Sequence, residues 1–211
     1  YIYISIMILN NYYWLFEKII PEHICDDIIK FAKSCDKKRG VTGGYENQLI
    51  TGDVLKKLKK TRDSHIVWLN ENWINNLIIP LVNQANKAAN WNFQWDQYED
   101  SQFTFYNKNQ HYNWHTDSWF KPYNVPGQRR HNKVRKITSM LMLSNKSDFE
   151  GGEVELDNRD KLMGNKSVFK INYDTKGTVI CFPSFVWHRV KPVTKGTRYS
   201  MPTWYLGDPF K

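Results

Sequence analysis

Two hydrophobic periods divide the chain. Before Trp91 apolar positions recur every three or four residues, and from Trp91 onward they recur every second residue. In the first part Ile24, Ile28, Phe31 and Ala32 share one face of a helix that opens at Pro21, carries acids in its first turn and ends near Cys35. A short basic helix is predicted over 54–60. A longer one is predicted over 72–89, where Trp73, Leu77, Ile78, Leu81, Val82 and Ala85 keep helical spacing in spite of Pro80. Residues 38–53 hold Gly40, Gly43, Gly44 and Gly52 among polar side chains and read as a flexible connector or lid. With no strand before it, this glycine pattern is not a phosphate loop.

In the second part the alternation predicts strands over 91–96, 101–106, 112–116, 135–144, 153–156, 169–173, 178–182, 187–190 and 198–206. Turn-rich joints such as Asn107-Lys108-Asn109, Gly151-Gly152 and Lys176-Gly177 separate them. Short strands following a helical start predict an α+β, mainly β fold, a sandwich or open barrel with helices packed on one face. Residues 1–98 are expected to form a helical support region packed on the sheet and 99–211 the β core, within one compact domain.

Composition narrows the class without changing it. Hydrophobic residues make up 41% and charged residues 24% of the 211, as in ordinary globular domains. The formal charge of +9 invites nucleic acid as a partner, but the cations are scattered (Lys37-Lys38-Arg39, 56–60, Arg129-Arg130, 133–136) and read as solvated surface. Nucleic acid and membrane are therefore not expected partners. Cys25, Cys35 and Cys181 form no CxxC pair and read as free thiols, which suits a reducing cytoplasm. The apolar opening, residues 1–9, is far shorter than the ~20 residues of a membrane span and lacks a basic leader, with Met7 as a plausible start.

The candidate chemistry centres on Tyr112-Asn113-Trp114-His115-Thr116-Asp117. Strand alternation places the His115 imidazole and the Asp117 carboxylate on one side. A later histidine, His188, follows a strand and turn through Phe182-Pro183-Ser184 that would deliver it to the same place. Two histidines and one carboxylate leave open coordination positions, the donor set of non-haem Fe(II) oxygenases. Further on, Arg198 and Ser200 share a strand face flanked by Tyr199, Met201, Trp204 and Tyr205, and a covered guanidinium of that kind needs a carboxylate partner. His23, His65, His111 and His131 have no partner at metal-ligand spacing.

These elements, with Phe105-Tyr106, Glu150-Gly151-Gly152-Glu153 and Thr61-Arg62-Asp63-Ser64 ahead of Trp68-Leu69, resemble the Fe(II)- and 2-oxoglutarate-dependent dioxygenases, in the prolyl 4-hydroxylase and PKHD-type branch. The resemblance implies a double-stranded β-helix (jelly roll) buttressed by the N-terminal helices. It also implies Fe(II) bound by His115, Asp117 and His188, with 2-oxoglutarate held through its distal carboxylate by Arg198 and Ser200. Tyr106 would hydrogen-bond the co-substrate, and Tyr112 and Thr138 would line its pocket. Hydroxylation of a prolyl residue in a peptide or protein, with O2 consumed, succinate and CO2 released and ascorbate as a reductant, is the activity implied. Asp117 stands where related halogenases have Ala or Gly, which favours hydroxylation. A free amino acid or other small molecule is the alternative substrate, and a jelly-roll binding module without catalysis the alternative class. A nucleic-acid demethylase ranks below both, because that branch has a second arginine where this chain has Trp204. The 118–133 loop, with Trp119, Phe120, Tyr123 and Arg129-Arg130-His131, is the expected substrate lid.

Overall fold

The structure, a computed structural model, describes residues 9, 11–42, 51–119, 121–158 and 167–210. The apolar opening at 1–8, the glycine-rich stretch at 43–50 and Phe120 lie outside the described residues. The first half runs β1 (Trp14–Phe16), α1 (Glu22–Ser34), β2 (Lys38–Arg39), α2 (Gly52–Thr61), β3 (Arg62–Asp63), β4 (His65–Leu69), α3 (Asn72–Ala88) and β5 (Gln97–Tyr98). The second half opens with β6 (Ser101–Tyr106), β7 (His111–His115), β8 (Val134–Met142), β9 (Phe149–Gly151) and β10 (Val154–Asp157). It closes with β11 (Val168–Lys170), β12 (Val179–Pro183), β13 (Trp187–Val190), β14 (Val193–Gly196) and β15 (Arg198–Gly207).

Among the described residues every strand pairing is antiparallel. The large sheet has the order β1-β12-β8-β15-β6-β4-β2, with β5 added on β15; the small sheet has the order β11-β10-β13-β7-β3. The two face each other as a double-stranded β-helix, and the strand period explains how its two cores form. Along β12, Val179 and Cys181 point toward the helices, whereas Ile180 and Phe182 point between the sheets. Along β8, Ile137 and Leu141 likewise face α1 and α3 while Met140 and Met142 face the small sheet. With both faces covered, β12 is buried at every position, so its sequence Val-Ile-Cys-Phe-Pro is apolar throughout rather than alternating.

The helices close the outer face of the large sheet. Cys25, Ile28 and Ala32 of α1 are fully buried there, as are Ile74, Val82 and Ala85 of α3. Pro80 lies inside α3 without ending it. The expected strand over 91–96 is not one. Asn90 and Asn92 both adopt left-handed backbone, and the Asn86 side chain bonds Phe93 through both its amide donor and its carbonyl. The segment is therefore a turn that drops Trp91 into the core, and sheet pairing begins at Gln97. The N-terminal region also does more than support the sheet. β1, β2, β4 and β5 belong to the large sheet and β3 to the small one.

One close approach ties the β1–α1 segment to the barrel. Ile20 donates its amide to the Gly177 carbonyl at 3.0 Å, and Gly177 has φ +79, with space for no Cβ before the Ile20 carbonyl oxygen. Gly177→Ala is expected to lower stability by about 2 kcal/mol or more, read as a drop in chemical-denaturation midpoint with an unchanged slope.

Candidate metal centre and its anion pocket

The site is built on the β7–β13 pair. Their register sets His188 directly opposite His115, and the ring centroids are 4.0 Å apart. Each imidazole is oriented by a local bond, His115 Nδ1 to the Asn113 carbonyl at 2.7 Å and His188 Nδ1 to the Val186 carbonyl at 3.0 Å. A carbonyl only accepts, so both Nδ1 atoms carry the proton and both Nε2 lone pairs face the site.

Asp117 reaches the same point by a different route from strand alternation. β7 ends at His115, and Asp117 lies beyond it in a bend whose two amides, Asp117 and Ser118, both donate to the Ser184 carbonyl at 2.8 and 2.9 Å. The turn between β12 and β13 thus carries the acceptor that folds the carboxylate inward. Asp117 Oδ1 lies 3.7 Å from His115 Nε2 and Oδ2 lies 3.5 Å from His188 Nε2. The three ligand atoms lie within 4.8 Å of one another, and among the described residues this is the one such group. Asp117 and His188 are buried and His115 is half-buried.

Electrostatics fix the protonation this donor set requires. Burial acts against the Asp117 carboxylate, but His188, His115 and the Arg135 guanidinium outweigh it and hold its pKa below the ordinary carboxylate value. Burial, reinforced by His188, holds His115 well below the usual imidazole value. An anionic carboxylate and a neutral imidazole are the forms that ligate a divalent cation. Thr138, expected to line the co-substrate pocket, donates its hydroxyl to Asp117 Oδ2 at 2.8 Å and meets Ser184 Oγ at 2.9 Å. It orients the carboxylate.

Arg198 and Ser200 stand at the start of β15, and the β15–β6 register sets Tyr106 opposite Arg198. Arg198 is 0% exposed, and Nη1 donates to Ser200 Oγ at 2.8 Å. Nε and Nη2 have no acceptor, and among the described residues no carboxylate pairs with this guanidinium. Burial lowers its pKa, as expected of a cation held out of water without a counter-ion. The donor set therefore fits a divalent metal, and the free guanidinium edge fits a carboxylate.

Ser200 and Tyr106 join the triad in lining a small cavity of ≈ 30 Å³. Tyr112 lines it too, stacked on His115 with centroids 3.4 Å apart and its phenol pushed up to about 12 by burial. The cavity adjoins a groove of ≈ 1100 Å³, and Arg62, Tyr112, Asp117 and Trp204 line both. Trp119, Tyr123, Arg129 and Arg130 of the expected lid line the groove. Sequence reasoning gave no role to Arg62, Arg135, Ser184 or Tyr173. The Thr61-Arg62-Asp63-Ser64 and Phe182-Pro183-Ser184 motifs marked two of them, and nothing marked Arg135 or Tyr173. His23, His65, His111 and His131 belong to no metal-type cluster among the described residues; His65 stacks on Phe105 and meets Gln110.

The family described as the 2OG-Fe(II) oxygenase superfamily matches residues 101–206. A PKHD-type hydroxylase of Colwellia psychrerythraea is 40% identical over 68 residues, 32% of this chain and 27% of that protein. One of Pseudoalteromonas atlantica is 31% identical over 103 residues, 48% of this chain and 40% of that protein. The chain thus matches less than half the length of these curated relatives. Among solved structures, a viral collagen prolyl hydroxylase from Paramecium Bursaria Chlorella virus-1 superposes with TM-score 0.63 at 20% identity, covering 94% of this chain and 97% of that one. A prolyl-4-hydroxylase of Pseudomonas putida gives 0.62 at 14%, covering 93% of each.

The Asp117–Thr138 bond has a measurable consequence. Thr138→Val, which keeps the shape and removes the donor, is expected to weaken Mn(II) affinity by about 10-fold or more, measured by calorimetric titration.

Proposed function

Because the chain belongs to the 2OG-Fe(II) oxygenase superfamily, we propose that it hydroxylates a prolyl residue in a peptide or protein, consuming 2-oxoglutarate and O2 and releasing succinate and CO2. The observation that carries this reading is the meeting of two constellations between the sheets: a His115–Asp117–His188 donor set and a buried Arg198 whose free edge lacks an anion. When bound, iron would supply the redox centre at which O2 is activated. The residues supply the rest. His115, Asp117 and His188 would hold the metal. Arg198 and Ser200 bind the distal carboxylate of 2-oxoglutarate, with Tyr106 beside it. Tyr112, stacked on His115, and Trp204 line both the cavity and the outer groove, where they would keep bulk water from the reacting atoms.

The groove supports a peptide over a small molecule. A space of ≈ 1100 Å³ walled by Trp68, Tyr98, Trp119 and Tyr123 is larger than a free amino acid fills, and its aromatic faces suit an extended proline-containing segment. One solved neighbour is a prolyl hydroxylase from Trichoplax adhaerens in complex with a hypoxia inducible factor peptide fragment, at TM-score 0.60 and 17% identity. Ascorbate as reductant and a cytoplasmic setting, suited to three free cysteines, belong to the same reading. Among the described residues no helix is long and apolar enough to cross a membrane.

Incubation with Fe(II), 2-oxoglutarate and proline-containing peptides is expected to yield succinate and a peptide heavier by one oxygen. Turnover of free amino acids but not peptides would move the assignment to a small-molecule hydroxylase, and no succinate with any acceptor would overturn it. In the same assay Arg198→Met is expected to raise the KM for 2-oxoglutarate by about two orders of magnitude, the loss of a buried charge-assisted pair.

A further inference from the structure

Beside Arg198 lies one more buried donor without a partner. Tyr173 lies in the segment between β11 and β12, is 3% exposed, and has a hydroxyl with no hydrogen-bond partner. Its ring centroid is 5.8 Å from Arg198 Cζ, while the Tyr106 ring lies at 5.6 Å. The two tyrosines flank the guanidinium within the same inter-sheet core.

Three buried donors therefore lack acceptors in one neighbourhood: Arg198 Nε, Arg198 Nη2 and the Tyr173 hydroxyl. Nε and Nη2 share one edge of the planar guanidinium, the edge that takes a carboxylate through two parallel bonds, while Nη1 is already given to Ser200. A native core rarely leaves such donors unmet, because each loses its bonds to water on burial and regains none. A trapped water would supply an acceptor but no charge, and Arg198 would stay uncompensated. An anion would supply both the acceptor and the charge that this group of donors lacks.

The surroundings hold this arrangement still. Gly152, at φ +63, packs against the aliphatic stem of Arg198, where a Cβ would come within 2.8 Å of Cδ. The segment bearing Tyr173 is fixed by Tyr173 N–H to the Ile171 carbonyl at 2.9 Å and by the Lys176–Asp26 ion pair at 2.5 Å. Burial raises the Tyr173 phenol, so it stays protonated and able to donate.

We propose that Tyr173 is a third donor to the distal carboxylate of the dicarboxylate co-substrate, its hydroxyl binding an oxygen that the Nε–Nη2 edge of Arg198 also holds. This rests on the co-substrate reading given above. It makes Tyr173 a ligand-binding residue that selects for chain length and charge at the far end of the ligand, away from the metal.

The test compares two ligands that differ at that end. Protein loaded with Mn(II), to prevent turnover, is titrated calorimetrically with 2-oxoglutarate and with 2-oxobutanoate, which lacks the distal carboxylate. Tyr173→Phe is expected to weaken 2-oxoglutarate about tenfold and to leave 2-oxobutanoate unchanged. Equal 2-oxoglutarate affinity in the two proteins, or equal weakening of both ligands, overturns the role of Tyr173 and leaves the proposed function standing. Failure of the unsubstituted protein to bind 2-oxoglutarate overturns both. The Phe variant removes one oxygen and keeps the ring packing, so an unchanged thermal midpoint is expected. Should it unfold, Tyr173→Leu at reduced temperature must show the same ligand-selective loss, and a loss shared by both ligands overturns the role.

Discussion

The pairing of β7 with β13 is the constraint on which the site depends. It sets His115 opposite His188 across two hydrogen-bonded strands, and neither histidine could reach the other by local structure. The turn that leads into β13 also supplies the Ser184 carbonyl, which bends the chain after His115 and brings Asp117 in. A single connection from β12 to β13 thus places one ligand and folds another. Behind it stands β12, buried on both faces between the helices and the small sheet, so the turn rests on a strand packed from both sides.

The same inter-sheet space carries an electrostatic imbalance. A carboxylate shared by two imidazoles at one place, and a guanidinium with an unused edge at another, are costly to bury unless ligands complete them. The fold meets that cost with packing elsewhere: α1 and α3 close the outer core, and the Arg135–Glu99 ion pair holds Arg135 over Trp204 beside the groove. Beside Arg198 the unmet donors gather, with Tyr173 next to two atoms of the guanidinium itself.

What was legible in the sequence follows from which signals are local. α1 and α3 announce themselves by period, because a buried face repeats at a fixed interval, and β12 announces itself as a short unbroken apolar run. β2 and β3 are two residues long and defined by their partners alone, so no period could reveal them. Residues 91–96 alternate like a strand, but the left-handed Asn90 and Asn92 divert the chain, and a propensity reading has no view of the Asn86 side chain that holds the turn. At the site, His115, Asp117, His188 and Arg198 carried their chemistry in residue type and order. Thr138 did not, since a threonine on an apolar strand looks the same whether it lines a pocket or orients a carboxylate. Tyr173 is legible only once its hydroxyl is seen to lack an acceptor.

On the proposed function, one inter-sheet space holds a divalent metal and a dicarboxylate together. A crystal grown with Mn(II) and 2-oxoglutarate tests it most directly, through anomalous scattering from the metal. A single strong peak bonded to His115 Nε2, Asp117 and His188 Nε2 is expected, with the far carboxylate of the ligand on the Nε–Nη2 edge of Arg198. A metal bound elsewhere, or a ligand that leaves that edge of Arg198 empty, would contradict it.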